Sequence, residues 1–146
     1  MGYRLTITGE GTTIQLDRRV VKSIIVNAAT AGTAFAKTNI TATMIVTGKL
    51  LSNKEGLEEV ETEKLFQWSL IPPEAADSYR NVVAEVTAEG RMTRKIYFPN
   101  AFIVDYTEKY VDIEGVGEFT LVMRQKLDSV SDVKSESGMP ADDFIR

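Results

Sequence analysis

The side chains that most often carry out catalysis or bind metals are histidine and cysteine, and this sequence of 146 residues contains neither. Without histidine, the chain lacks the usual general base near neutral pH and the most common ligand of transition metals. Without cysteine, disulfides, thiolate nucleophiles and zinc–thiolate sites are excluded. Any chemistry would have to come from carboxylates, hydroxyls, lysines or arginines.

The carboxylates are concentrated in two places where a metal ion or an acid–base pair could be held. Residues 55–63 include five glutamates, but they lack the Asp and Asn ligands of a calcium loop. Asp105, Asp112 and Glu114 could supply paired carboxylates from two strands, although nothing in the sequence sets their separation. We interpret the first group as a solvated face and the second as surface carboxylates. We therefore predict no catalytic residue, no metal site and no cofactor.

Three short motifs have simple structural interpretations. The two G-x-G runs, at residues 9–11 and 115–117, do not complete G-x-G-x-x-G and precede no clear helix, so they indicate turns. Lys22 and Ser23 are neighbours in a predicted strand and point to opposite faces, so they cannot act as a Ser-Lys pair. Asn39 begins a glycosylation sequon by chance, because no secretory signal accompanies it.

Aromatic and basic side chains could form binding surfaces. The aromatic residues could form a ligand platform, but core packing is the simpler interpretation, because aromatic side chains dominate core burial. The basic residues are flanked by Glu89 and Glu108, which is typical of a mixed surface or a subunit contact. The net charge of −4 argues against general nucleic-acid binding. The aromatic set is Trp68, Tyr97, Phe98, Phe102, Tyr106 and Tyr110, and the basic set is Arg91, Arg94, Lys95 and Lys109.

The elements that would position these residues are mostly strands, because hydrophobic residues alternate with a period of two. Two hairpins are clear, one around Gly9–Gly11 and one around Glu89–Gly90. Residues 23–27 suit a strand buried on both faces, and small residues at 28–38 indicate a flexible loop around Gly32. Pro99-Asn100 predicts a break between two strands. The predicted strands are 5–8, 13–16, 23–27, 40–51, 65–71, 82–87, 92–98, 101–106 and 116–127.

The predicted fold is mainly β, an antiparallel β-barrel or sandwich with one short helix and a disordered C-terminal tail. Residues 55–63 fit a helix or an acidic loop equally well, and residues 74–79 favour one helical turn after two prolines. Serines, charges and a proline from Asp128 onward cannot bury enough apolar surface to offset ordering entropy. We therefore predict one domain over residues 1–127 and a flexible tail over 128–146.

Two longer runs resemble a known group of proteins. Residues 91–106, Arg-Met-Thr-Arg-Lys-Ile-Tyr-Phe-Pro-Asn-Ala-Phe-Ile-Val-Asp-Tyr, and residues 115–126 resemble small proteins encoded in phage-like regions of Gram-positive bacteria. Some of those are labelled membrane-associated proteases, a label that the motifs here do not support. The order of elements over residues 20–127, most sharply over 80–127, also resembles contractile-tail tube proteins and the hemolysin-coregulated protein of type VI secretion. The resemblance implies a barrel that stacks as six-membered rings into a tube, and it carries over no individual functional residue.

Two functions from different classes follow. The first is a structural assembly protein of a phage tail or tail-like injection device, which would form rings with itself and contact other tail or baseplate proteins. The strand at 40–51, with Lys49 as its one charge and no proline, would offer the pairing edge. Charges of both signs, such as Arg91, Arg94, Glu108 and Lys109, could set the orientation of the contact.

The alternative is a small β-sandwich that binds carbohydrate, cell wall or a partner protein in an aromatic-lined pocket. Neither function involves catalysis or nucleic-acid specificity. No apolar run reaches the ~20 residues that span a bilayer, so we expect no membrane insertion. The N-terminus has no apolar signal region. We therefore expect a cytoplasmic protein before assembly and a virion or tail-like particle after it.

Overall fold

A computed structural model of the chain describes residues 1–33, 36–50, 57–89, 91–112 and 116–137. In these residues the chain forms strands, one α-helix and two short 3-10 turns. The strands are β1 (Gly2–Gly9), β2 (Thr12–Leu16), β3 (Val21–Thr33), β4 (Ala36–Leu50), β5 (Arg80–Ala88), β6 (Arg91–Val111), β7 (Val116–Gln125) and β8 (Lys134–Glu136). The helix α1 is Leu57–Ser69, and the 3-10 turns are Ala76–Ser78 and Leu127–Asp132.

All the strands belong to one antiparallel sheet. Its order is β2-β1-β5-β6-β7-β4-β3, and β8 pairs with β6 beside the end of β7. Residues of β1 and β3 touch although four strands separate them in this order. The sheet therefore curls around its own buried face, and the prediction of a mainly β, antiparallel fold with one helix is confirmed.

The core lies on the inner face of the sheet, and it follows the predicted alternation. Ala42, Met44 and Val46 are buried on β4, as are Phe119, Leu121 and Met123 on the neighbouring β7. The two predicted hairpins, β1–β2 and β5–β6, are also confirmed. The rest of the buried apolar cluster comes from β1, β2, the start of β3 and the residue before it, β5, β6 and α1, with Leu5, Ile7, Ile14, Leu16, Val20, Val21, Val82, Ala84, Phe98, Ala101, Leu65 and Trp68.

The prediction of a strand over residues 65–71 is wrong, because these residues continue the helix to Ser69. Leu65 and Trp68 are three residues apart, so on a helix both point at the core, where they are almost fully buried. The Trp68 indole donates a hydrogen bond of 3.1 Å to the carbonyl oxygen of Ser78. Of the two alternatives for the acidic segment at residues 55–63, the helix is correct from Leu57 onward. No helix in the described part of the chain is long and apolar enough to cross a bilayer.

The predicted break at Pro99-Asn100 does not interrupt β6. Ala101 pairs with Arg80 and Phe98 pairs with Val82, so two residues of β6 oppose one residue of β5. This is a β-bulge, one of the positions in a sheet where proline is tolerated because its missing N–H breaks no ladder bond. Proline therefore marks a bend in a long strand here.

The predicted flexible loop at 28–38 is wrong over its described residues. Residues 28–33 of β3 pair with residues 36–42 of β4, with one register shift between Ala31 and Gly32, and residues 34 and 35 lie outside the described chain. Small residues are poor strand formers, but a paired neighbour satisfies their backbone groups all the same. Nor is the segment 23–27 buried on both faces, since Ile25 and Val26 are exposed.

The segment after Leu127, predicted as a flexible tail, contains structure as far as Ser137. A 3-10 turn leads to β8, whose residues Lys134, Ser135 and Glu136 pair with Tyr97, Ile96 and Lys95 of β6. Val133 packs against the core. Backbone pairing explains why a polar composition did not reveal this strand. Residues 138–146 lie outside the described chain.

Truncation after Lys126 is therefore expected to lower the melting temperature by roughly 5–10 °C, because it removes the β8 ladder and the packing of Val133 on the core and uncovers Lys95. Truncation after Ser137 is expected to change the melting temperature by less than about 2 °C, because it keeps the β8 ladder and the packing of Val133. Thermal unfolding followed by circular dichroism compares the two. Equal melting temperatures for both truncations would show that β8 adds nothing to stability.

Candidate functional site

The two edge strands of the sheet, β2 and β3, differ in how they are covered. Side chains of α1 cover β2. The Glu61 carboxylate accepts a hydrogen bond from the backbone N–H of Gln15 at 2.8 Å, and the Lys64 ammonium donates one to the carbonyl of Thr13 at 3.2 Å. Glu61 and Lys64 also pair with each other at 3.0 Å. The helix therefore satisfies backbone groups that an edge strand otherwise presents to another chain.

The start of β3 is held, because the Val21 N–H donates to the Asp17 carbonyl and residues of β1 lie close to β3. Its exposed stretch, residues 25–30, has no comparable cover among the described residues. The 13 residues of β3 contain no proline and one charge, Lys22, which pairs with Glu118 of β7 at 3.6 Å. Ile25 is 54% exposed and Val26 is 43% exposed. Natural sheets normally protect a long edge with charge, proline or a bulge, because an open edge pairs with other chains. Two irregularities of the β3–β4 pairing fit that description. Lys22 bulges at the start of β3, and a second register shift lies between Ala31 and Gly32 near its end, so the stretch between them is regular.

The outer halves of β3 and β4 form a two-stranded arm. β4 pairs with β7 from Thr43 to Leu50 only, so residues 36–42 pair with β3 alone. A two-stranded ribbon is marginally stable in water by itself. The arm and the β3 edge together make the surface of this fold that is best suited to contact another chain, and we call it the β3 surface.

The prediction that residues 40–51 supply the open edge is wrong. β4 lies between β3 and β7 and is paired on both sides. Its threonine face does meet a neighbour, since the hydroxyls of Thr47 and Ser23 are within hydrogen-bond distance, but that neighbour is β3 of the same chain. The unprotected edge therefore lies one strand further out than predicted.

The carboxylates and nucleophiles considered from the sequence do not converge. Asp105 is exposed and accepts a hydrogen bond from Thr107, Asp112 is exposed, and Glu114 lies outside the described chain. Lys22 pairs with Glu118 while Ser23 meets Thr47, so the two do not act on each other. No group of three or more metal-ligating side chains occurs within the described residues.

The aromatic and basic sets are likewise spread over the molecule. Trp68 and Phe98 are core residues, whereas Tyr110 is 72% exposed. Lys95 is buried against Glu85 at 2.7 Å, while Arg91 and Lys109 lie near opposite ends of β6. Neither an aromatic platform nor a basic track is formed by these residues.

One cleft of about 210 Å³ opens beside the start of β1. Its lining is mainly polar and charged, with Tyr3 as the one aromatic side chain. The remaining lining residues are Gly2, Arg4, Asp17, Arg18, Glu85 and Thr87. It is smaller than the ~300–1,000 Å³ typical of ligand pockets and lacks their apolar walls.

Near the end of β6, two tyrosine hydroxyls hold one glutamate carboxylate. The sequence analysis did not identify these three residues as a group. The two oxygens of Glu108 accept hydrogen bonds from Tyr106 and Tyr110, each at 2.6 Å. Burial, followed by the bond to Glu108, raises the pKa of Tyr106, and the bond to Glu108 raises the pKa of Tyr110. Both phenols therefore stay protonated donors at neutral pH. We call these three residues the Glu108 clamp.

No protein-family description matches the chain, and no curated protein matches it in sequence. Solved structures do match its fold over 92% of its length. Hcp1 from Flavobacterium johnsoniae aligns with a TM-score of 0.57 and 13% identity over 96% of that chain. A chain of the anti-feeding prophage baseplate aligns with a TM-score of 0.52 and 11% identity over 92% of that chain.

A third match comes from the PVC sheath–tube complex of an extracellular contractile injection system in its extended state. It has a TM-score of 0.50 and 11% identity, and 88% of that chain is covered. These identities are too low to transfer a function, but the alignments span nearly all of both chains. The chain therefore has the tail-tube and Hcp-like fold, the fold that its sequence runs resemble.

Proposed function

We propose that this protein is a structural subunit of a phage tail or tail-like injection device, and that copies assemble through the β3 surface into rings or tubes. The observation that carries the proposal is the contrast between the two sheet edges. α1 covers β2, whereas β3 extends for 13 residues without proline and with one paired charge. A head-to-tail contact at that edge, repeated, closes a ring or builds a filament.

The fold matches support the same class of function. Two of them are chains from a baseplate and from a sheath–tube complex, and both are parts of large assemblies. Applied to this chain, the proposal includes six copies per ring, as the sequence resemblance implies, and contacts with other tail or baseplate proteins. It also includes a cytoplasmic subunit that becomes part of a particle, with no catalysis, cofactor, nucleic-acid specificity or membrane insertion.

The alternative of a small ligand-binding module has less support. It requires a concave, aromatic-lined pocket, whereas the cleft beside β1 is small, charged and lined by one tyrosine. The two predictions differ in solution mass, because a binding module stays at 16.2 kDa and a tube subunit does not.

Val26→Lys is expected to weaken self-association at least tenfold, because it places a charge on the unprotected edge, a device by which natural sheets block edge pairing. Val104→Lys is the matched control. Val104 is also a valine with 43% exposure, but it lies at a bulge of β6 away from the edge. Sedimentation velocity over a range of concentrations measures the association of both variants and of the wild type.

The comparison has clear outcomes. Assembly of the wild type and of Val104→Lys, with loss of assembly in Val26→Lys at unchanged melting temperature, supports the proposal. A wild-type chain that remains a 16.2 kDa species at high concentration contradicts it. Equal loss in both valine variants shows that added charge, and not the edge, is responsible.

A further inference from the structure

The Glu108 clamp has the features of a site for a cation. Its carboxylate is half-buried, and Glu108 pairs with no lysine or arginine among the described residues. Lys109 is the next residue along the strand, so it points to the other face. The Tyr110 ring is largely exposed, and Tyr106 lies against Phe66, whose ring centre is 6.3 Å away. A carboxylate between aromatic rings suits a guanidinium, which bonds to oxygen and stacks on rings.

A cation of suitable chemistry lies on the same face at the other end of β6. Arg94 is exposed, and no ion pair within the described residues involves it. It lies opposite Val86, two residues before Ile96, on the row that continues through buried Phe98 and Ala101. Glu108 lies near the other end of the same row, opposite buried Phe119 and followed by Tyr110. One inner row of side chains thus has a positive charge near one end and a negative charge near the other.

We propose that the Glu108 clamp binds the Arg94 guanidinium of a second copy of this chain, packed end to end along β6. The proposal rests on the proposed function, since it requires that copies assemble. It adds a directional contact that differs from the β3 edge. In this contact the Glu108 carboxylate forms a charge-assisted hydrogen bond with the incoming guanidinium, and the exposed Tyr110 ring covers its flat face.

A charge exchange tests this pairing. Glu108→Arg and Arg94→Glu are each expected to weaken the salt-sensitive growth of assemblies at least tenfold, because each places like charges together. The double variant restores opposite charges in reversed order and is expected to return association to within about threefold of the wild type. Sedimentation velocity at low and high salt measures the growth of species larger than the assembly that forms through the β3 surface.

Two controls separate a lost contact from a damaged fold. Asp105→Arg reverses a carboxylate on the outer face of β6, three residues from Glu108, and is expected to leave association unchanged. Glu108→Gln removes the charge but keeps the shape and one acceptor for the tyrosines, so it is expected to weaken association several-fold without lowering the melting temperature.

The outcomes distinguish this inference from the proposed function. If the wild type assembles and Glu108→Arg behaves like Asp105→Arg, the clamp is not a contact, although the proposed function stands. If the single variants lose association and the double variant does not regain it, Arg94 is not the partner and the inference is overturned. If the wild type stays monomeric at all concentrations, both are overturned.

Discussion

Lys95→Ala is expected to destabilise the protein by about 3 kcal/mol, because it leaves a buried carboxylate without its closest partner. Lys95 and Glu85 pair at 2.7 Å, and their side chains are 5% and 10% exposed. Arg4, 3.4 Å from the other oxygen of Glu85, is 56% exposed and compensates only in part. Chemical denaturation of a dilute sample measures the loss.

The strength of this pair comes from the register of the sheet. Arg4 lies opposite Glu85, Glu85 opposite Lys95, and Lys95 opposite Glu136, so four charges of alternating sign cross β1, β5, β6 and β8. Opposite charges on facing strands stabilise a sheet, and like charges destabilise it. The row also links β8 to the outer face of the sheet, which supports the expected cost of removing that strand.

An exposed pair and a double variant complete the test. Lys22→Ala breaks an ion pair whose members are 45% and 47% exposed, and it is expected to cost less than about 1 kcal/mol. Glu85→Leu combined with Lys95→Met replaces the buried pair with apolar volume and is expected to recover most of the loss. A loss in Lys95→Ala no larger than in Lys22→Ala would show that burial does not strengthen the pair.

Local alternation was enough to predict much of the sheet. Strands such as β4 and β7 have one buried face, so their apolar residues recur every second position and reveal both the strand and the core. The hairpin turns were visible for the same reason, since turn residues separate two alternating runs. A mainly β fold therefore followed from the sequence.

The order of the strands and the extent of the helix did not follow, because both depend on distant contacts. Residues 65–68 are apolar at three of four positions, a pattern that suits either a strand or a helix. The helix forms because it places Leu65 and Trp68 on one face, where both are buried in the core. The edge position of β3 and the charge row result from pairing between strands far apart in sequence. The members of the Glu108 clamp share one face of β6 because they are two residues apart along the strand. This spacing does not distinguish them from the other polar residues of β6, so the sequence did not reveal the clamp.

Gly48→Val is expected to destabilise the protein by more than about 3 kcal/mol, because a side chain at this position has no space. A Cβ atom there would lie 2.5 Å from the nearest atom of the Phe119 ring and 2.6 Å from the carbonyl oxygen of Val20. Phe119 is fully buried and stacks on Tyr106 at 6.2 Å, and the Val20 carbonyl accepts a hydrogen bond from the Lys49 N–H at 2.8 Å. Neither neighbour can withdraw without losing its own contacts, so the glycine keeps β4 close to both.

Gly2→Ala is the matched control, since a Cβ there meets one side-chain oxygen, that of Thr87, at 3.0 Å. It is expected to change the free energy of unfolding by less than about 0.5 kcal/mol. Phe119→Leu in the Gly48→Val background removes the clash with the ring but leaves the clash with the Val20 backbone. We therefore expect it to recover only part of the loss. A Gly48→Val protein as stable as Gly2→Ala would mean that β4 can move away from β7, and the curled sheet would then be looser than its packing indicates.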